Sequence, residues 1–285
     1  MNTKLLALYG LKYNPFTPDV PIEALHIYPK LENFLWRIEN NLIQEGGFAM
    51  VGGDPGTGKS VALRLLAEKL KPIRDVRVGI LTHPSGRLSD FYRELGEIFD
   101  VPLKPHNRWD GFKGLREKWL HHLETSLIRP VLFIDEAQEA PAAVLNELRL
   151  LTSQEFDSRV LLSIILSGDA RLNEKLRRDE LIPLGSRIRV RFTIEYANAD
   201  QLRQTLQNLL THAGNARLMT TELMNTLCEH AMGNYRALCM MAAELLAMAA
   251  QQERTQLDEK LYLECFAPPT SSRKQKNSTP GGSRG

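Results

Sequence analysis

Eight consecutive residues, Gly53-Asp54-Pro55-Gly56-Thr57-Gly58-Lys59-Ser60, restrict this chain more than anything else in it. They fit the pattern G-x-x-x-x-G-K-[ST] at every fixed position, a pattern that belongs between a strand and a helix. Glycines at these positions let backbone N–H groups turn inward around phosphate oxygens without Cβ clashes. Lys59 supplies a point charge for β- and γ-phosphates, Ser60 a hydroxyl for Mg²⁺, and the following helix its positive end. The flanks agree, because Phe48-Ala49-Met50-Val51 is a short apolar run and Val61, Leu65, Ala67 and Leu70 continue at helical spacing. A nucleoside triphosphate site with Mg²⁺ is therefore expected.

A second stretch completes that expectation. Val131-Leu132-Phe133-Ile134 closes on Asp135-Glu136, four apolar residues delivering two carboxylates. A buried strand of this kind brings Asp135 to the metal and leaves Glu136 one residue beyond, able to orient an attacking water.

The further strand patterns Val76 to Thr82, Val160 to Leu166 and Ile188 to Ile194 bring the strands to five, alternating with helical patterns near Leu88 to Phe99, Asp110 to Ser126 and Val144 to Leu151. That order implies an α/β fold, a five-stranded parallel sheet with helices on both faces and ligands at the strands' carboxyl ends. From Asn198 the strand signal stops, and helices near Leu202 to Leu210, Leu223 to Ala231, Leu238 to Ala250 and Leu257 to Phe266 imply a small helical domain. The expected organisation is a leader and first helix at 1–46, a core at 47–196, a helical lid at 197–266, and a disordered basic tail at 267–285.

Charge constrains the partners. The chain has 36 basic and 34 acidic side chains, but Arg273, Lys274, Lys276 and Arg284 lie in the tail, leaving 32 basic against 34 acidic in the body. Polyanion binding by the body then needs a local patch. The best one is the loop with Lys104, His106, Arg108 and Trp109, followed by Lys113 and Arg116. Neither a membrane span nor a signal peptide is expected, so the chain reads as cytoplasmic. Cys228, Cys239 and Cys265 lack metal-ligand spacing and read as free thiols.

Phosphate loop, Asp-Glu strand, polar strand end, late arginine and helical domain, in this order, resemble the AAA+ ATPases. The leader Gly10-Leu11-Lys12-Tyr13-Asn14-Pro15-Phe16 and Asp135-Glu136-Ala137-Gln138 are similar to the ExeA-like branch, over roughly residues 8 to 266. That branch includes secretion-pathway ATPases and the accessory ATPases of transposons, of TniB, TnsC and MuB type.

The resemblance implies a P-loop AAA+ core with a helical lid, and ATP with Mg²⁺ as cofactors. Nucleotide contacts would come from Gly53, Asp54, Pro55, Gly56, Thr57, Gly58, Lys59, Ser60 and Val61, from Asn14, Pro15 and Phe16 of the leader, and from Arg236 of the lid. Ser60 and Asp135 would hold the metal, and Lys59, Asp135 and Glu136 would act in hydrolysis. Arg187 matches the arginine finger offered to a neighbouring subunit, with Arg177, Arg178 and Arg189 competing for that role. The γ-phosphate sensor is Ser167 or Asp169. A carboxylate there meets repulsion unless protonated or bridged by metal.

On this resemblance the leading expectation is a homo-oligomer, ring or helical filament, that assembles on duplex DNA with ATP and marks target DNA for a transposase. Hydrolysis then drives disassembly, and Lys104, Arg108, Trp109 and Lys113 touch DNA. A secretion-complex ATPase comes second, because members of that kind continue into a membrane span and a cell-wall-binding domain. A nucleotide-gated signalling scaffold comes third.

Overall fold

The computed structural model describes residues 3–102, 107–155 and 158–266. Its strands are β1 (Gly47–Gly53), β2 (Val76–Leu81), β3 (Arg129–Ile134), β4 (Ser153–Gln154), β5 (Arg159–Val160), β6 (Ser163–Gly168) and β7 (Ile188–Ile194). Five of them form one sheet in the order β2-β3-β6-β1-β7. Every neighbouring pair in it is parallel. Parallel strands covered on both faces become continuous apolar runs, which is why Phe48 to Val51 and Val131 to Ile134 lack alternation. The chain leaves β1, an interior strand between β6 and β7, for β2 at the far edge.

Ahead of the sheet lie α1 (Thr3–Tyr9), α2 (Pro29–Arg37), and α3 (Ile43–Glu45), joined to α2 by a π-helical turn over Ile38–Leu42. Pro29 at the first helical position suits α2, since no N–H is needed there. Between strands come α4 (Lys59–Leu70), α5 (Leu88–Ile98), α6 (Arg108–His121), α7 (Ala142–Thr152), α8 (Ala170–Leu176) and α9 (Ile182–Gly185). One sheet face buries Phe48, Leu132, Ile134, Ile164 and Leu166 with Phe91, Leu95, Trp119 and Leu148. The opposite face buries Ala49, Val51, Phe133 and Ile165 with Phe34, Leu35 and Leu66.

The remaining helices, α10 (Ala199–Ala213), α11 (Thr221–Ala231), α12 (Tyr235–Gln251) and α13 (Glu259–Phe266), share a separate core. Asn198 starts α10 with a capping box in which Gln201 reciprocates. The leader joins this core rather than the sheet. Tyr9, Leu11 and Phe16 are buried among Leu206, Leu210 and Leu245, and the Lys12 N–H donates to the Ala213 carbonyl at 2.8 Å.

Two segments differ from the sequence expectation. The run Val160 to Leu166 is not one strand: Val160 pairs antiparallel with Ser153 in a small hairpin, the Leu161 N–H donates to the Thr152 carbonyl, and β6 starts only at Ser163. Hydrophobicity is continuous there while the backbone pairing changes partner. The helix expected from Asp110 starts at Arg108, because the Asn107 side chain accepts from the Asp110 N–H. It ends in a π-helical turn capped by Leu127 in the left-handed region. The tail at 267–285 and Lys104 lie outside the described residues.

Candidate nucleotide site

The loop after β1 is built by its own backbone. The Thr57 hydroxyl, 1% exposed, donates to the Asp54 carbonyl at 2.8 Å. Lys59 is 6% exposed, and its ammonium donates to the Gly53 carbonyl at 2.9 Å and the Asp54 carbonyl at 3.1 Å. These carbonyls hold the charge at the loop's centre, where a phosphate oxygen would compete for it. Gly56 sits at φ +83, and a Cβ there would land 2.2 Å from Asn234 Oδ1. Only glycine fits this position, on both backbone and space.

Asp135 closes the other wall. The Ser60 hydroxyl donates to Asp135 Oδ2 at 2.7 Å across 75 residues of sequence, while Asp135 Oδ1 accepts from the Glu136 N–H at 2.9 Å. A hydroxyl and a carboxylate oxygen in contact beside a phosphate loop form the hard-oxygen pair that Mg²⁺ takes together with substrate phosphates. The donor set fits the metal. Glu136 itself has φ +50, left-handed for a non-glycine residue. Its carboxylate accepts from the Gln138 side-chain amide.

The strand-end sensor candidates are resolved differently from one another. Ser167 is 0% exposed and its hydroxyl has no hydrogen-bond partner among the described residues. By alternation from Ile165 it looks to the α4 side of the sheet. Asp169 instead caps α8 and is gripped by Arg171, whose Nε donates at 2.9 Å and whose backbone N–H donates at 2.9 Å. Hydrogen bonding from Arg171 holds the Asp169 carboxyl below its usual range. Neither protonation nor a metal bridge is needed for it, because Arg171, also 3.0 Å from Glu139, supplies the compensating charge.

The lid reaches the loop through the start of α12. The Asn234 side-chain amide donates to the Pro55 carbonyl at 3.0 Å, and the Arg236 N–H donates to the Gly56 carbonyl at 3.4 Å. Tyr235 would stand 3.8 Å from a Cβ at Gly58. Burial above all, with the Tyr235 and Glu195 side chains adding to it, pushes the Tyr28 phenol up to about 12. Tyr235 beside the phosphate loop, Tyr28 and Arg171 were missed by sequence reasoning. Asn234 and Tyr235 carried a signal in standing next to Arg236; Tyr28 carried none.

The leader residues Asn14, Pro15 and Phe16 lie between α1 and α2. Asn14 Oδ1 accepts from the Phe16 N–H at 3.0 Å, and Phe16 is buried in the lid core. The leader's link to the phosphate-loop helix runs through Arg64, which donates to the Pro18 and Val20 carbonyls.

Arg187 stands at the start of β7. Its guanidinium donates to the Pro183 carbonyl at 2.6 Å. Ile188 pairs with Phe48 and Ile194 with Gly53, so Arg187 lies at the opposite end of the sheet from its own phosphate loop, roughly 20 Å away at about 3.3 Å per strand residue. Among its rivals, Arg189 is paired with Glu45 at 2.7 Å.

The basic loop offers less charge than its sequence suggests. Arg108 is in an ion pair with Glu147, whose side chain is only 3% exposed, and its Nε donates to Glu147 Oε1 at 3.1 Å. The Tyr92 hydroxyl donates to the same carboxylate. Lys113 is 3.7 Å from Glu117, and Arg116 donates to the carbonyls of Leu150, Leu151 and Ser153. Trp109, 68% exposed, stacks on Phe112 beside a shallow apolar groove.

The five-stranded parallel sheet with its helices, the phosphate loop after β1 and the helical domain docked on that loop match the fold of AAA+ ATPases. Residues 42–176 match the AAA domain family. The chain is 30% identical over 187 residues to General secretion pathway protein A of Aeromonas hydrophila, an alignment covering 65% of this chain. It spans only 33% of that relative's length. Among solved structures, Cdc6p from Pyrobaculum aerophilum superposes with a TM-score of 0.68 at 19% identity, covering 85% of this chain and 67% of that one. The Aeropyrum pernix ORC1 protein, solved in complex with DNA, gives 0.69 at 16% identity, covering 88% and 67%. Among the described residues, no helix is long and apolar enough to cross a membrane.

Proposed function

We propose that the chain is an ATP hydrolase whose working form is a nucleotide-dependent homo-oligomer. The observation that carries this is the Ser60 to Asp135 contact at 2.7 Å beside the buried Lys59. On binding ATP, Lys59 exchanges the Gly53 and Asp54 carbonyls for β- and γ-phosphate oxygens. Ser60 and Asp135 would hold Mg²⁺, which would neutralise phosphate charge there. Glu136 accepts a proton from the water that attacks the γ-phosphorus as the bond to ADP breaks. Ser167 or the neutralised Asp169 reads the γ-phosphate, and Arg236 brings the lid onto the phosphates. Arg187, at the far end of its own sheet, serves the ATP of the next subunit, which makes the oligomer part of the active site.

The client of that assembly is duplex DNA, with a transposase reading the marked target and the whole acting in the cytoplasm. The exposed Trp109 and Phe112 stack with Lys113 beside it supports this reading, as does the likeness to an ORC1 fold that binds DNA. A second reading, an ATPase of a secretion complex, is favoured by the 30% identity to General secretion pathway protein A. Electron microscopy with a non-hydrolysable ATP analogue, with and without duplex DNA, tests the pair. Rings or filaments on DNA that vanish in Lys59→Ala and persist in Glu136→Gln with ATP are expected. Nucleotide-dependent assembly that ignores DNA would refute the DNA reading, and no nucleotide dependence at all would refute the site.

A further inference from the structure

Glu136 stands on a backbone fixed in the left-handed region, yet its carboxylate does not simply point into solvent: it accepts a hydrogen bond from the Gln138 side-chain amide two residues on. Gln138 is 6% exposed, unusual for an amide next to a surface acid. Its other hydrogen bonds lead to the end of β6 and to the helix that follows it. Its Oε1 accepts from the Asp169 N–H at 3.4 Å, and its backbone carbonyl accepts from the Lys175 ammonium on α8 at 2.8 Å. A Cβ at Gly168 would come 2.5 Å from that Oε1, so the amide is packed against the strand end. Its two polar ends therefore touch Glu136 on one side and the segment between Ser167 and Asp169 on the other.

We propose that Gln138 is a positioning residue that sets the Glu136 carboxylate and ties its orientation to the strand end that reads the γ-phosphate. A shift of Asp169 or Ser167 toward phosphate moves the N–H that anchors Oε1, and the opposite end of the same amide turns Glu136. The tie needs no long-range pathway, because one side chain spans both groups. It rests on the reading of Glu136 as the base that activates water, and the test separates the two.

Gln138→Met keeps length and volume while removing both side-chain hydrogen bonds. Steady-state ATP hydrolysis should show kcat down by about tenfold to a hundredfold, part of what a well-placed general base supplies, with KM for ATP within about twofold. The melting temperature should stay near that of the unchanged protein, as expected for a volume-conserving change. The double variant Glu136→Gln with Gln138→Met should be no slower than Glu136→Gln alone, since Gln138 acts only through Glu136. Unchanged kcat in Gln138→Met, beside an inactive Glu136→Gln, overturns the positioning role and leaves the base assignment standing. So does a further loss in the double variant. Full turnover in Glu136→Gln overturns the base assignment, and the positioning role with it.

Discussion

Replacing Arg108 by Ala separates a structural charge from a functional one. The Glu147 carboxylate is 3% exposed and is satisfied by Arg108 and by the Tyr92 hydroxyl. Removing one partner of a fully buried ion pair costs about 3 to 5 kcal/mol, because the other charge is left behind. Arg108 is 60% exposed, so water enters on its side and the cost falls to about 1 to 2 kcal/mol. At about 2 to 4 °C per kcal/mol for a chain of this size, the melting temperature should drop by roughly 2 to 8 °C. Glu147→Gln added to Arg108→Ala removes the stranded charge and should recover at least half of that loss. DNA retention in the presence of ATP, followed across a salt series at matched folded fraction, should keep its slope. The reasoning is refuted if Arg108→Ala melts like the unchanged protein while the salt slope flattens by about one, the signature of one lost phosphate contact. Arg108 would then leave Glu147 for DNA.

Two further outcomes are expected. Gly56→Ala forces a side chain into Asn234 and a left-handed backbone, costing about 1 to 2 kcal/mol before the lost lid contacts are counted; titration with a fluorescent ATP analogue should give at least tenfold weaker binding, and unchanged affinity would mean that the lid contact at Asn234 is incidental. Arg187→Ala should cut ATPase activity by about 10³-fold or more with little change in monomer ATP affinity; activity should return on mixing with Glu136→Gln subunits, and co-assembly without recovery at any ratio would refute a role in trans.

What the sequence made legible is what is local. The phosphate loop and the Asp135-Glu136 strand are short contiguous patterns, and the sheet strands show either as apolar runs, as in β1 and β3, or as alternation, as in β7. Their chemistry depends on neighbours in sequence, so the Ser60 to Asp135 contact follows once a parallel sheet is granted. The apolar run at Val160 misled because burial alone does not say which strand a backbone pairs with. A two-residue hairpin and a central strand share one hydrophobic stretch there.

What was not legible is what the charges do once folded, and here the same physical reason recurs. Arg108 meets Glu147 across 39 residues, so a residue that reads as a free phosphate contact is committed to a buried acid. Asp169 reads as a misplaced carboxylate until Arg171, two residues on, is seen to turn back on it from the first turn of α8. Phe16 is buried in the core of the helical domain, a partner the sequence does not name. In each case the side chain's identity is visible in sequence while its partner is set by packing, and a charge with a close partner no longer serves as a free electrostatic contact. The DNA reading therefore rests more on Trp109 and Lys113 than on Arg108. The nucleotide reading is untouched, because among the described residues the Lys59 ammonium donates to backbone carbonyls that a phosphate oxygen can outcompete.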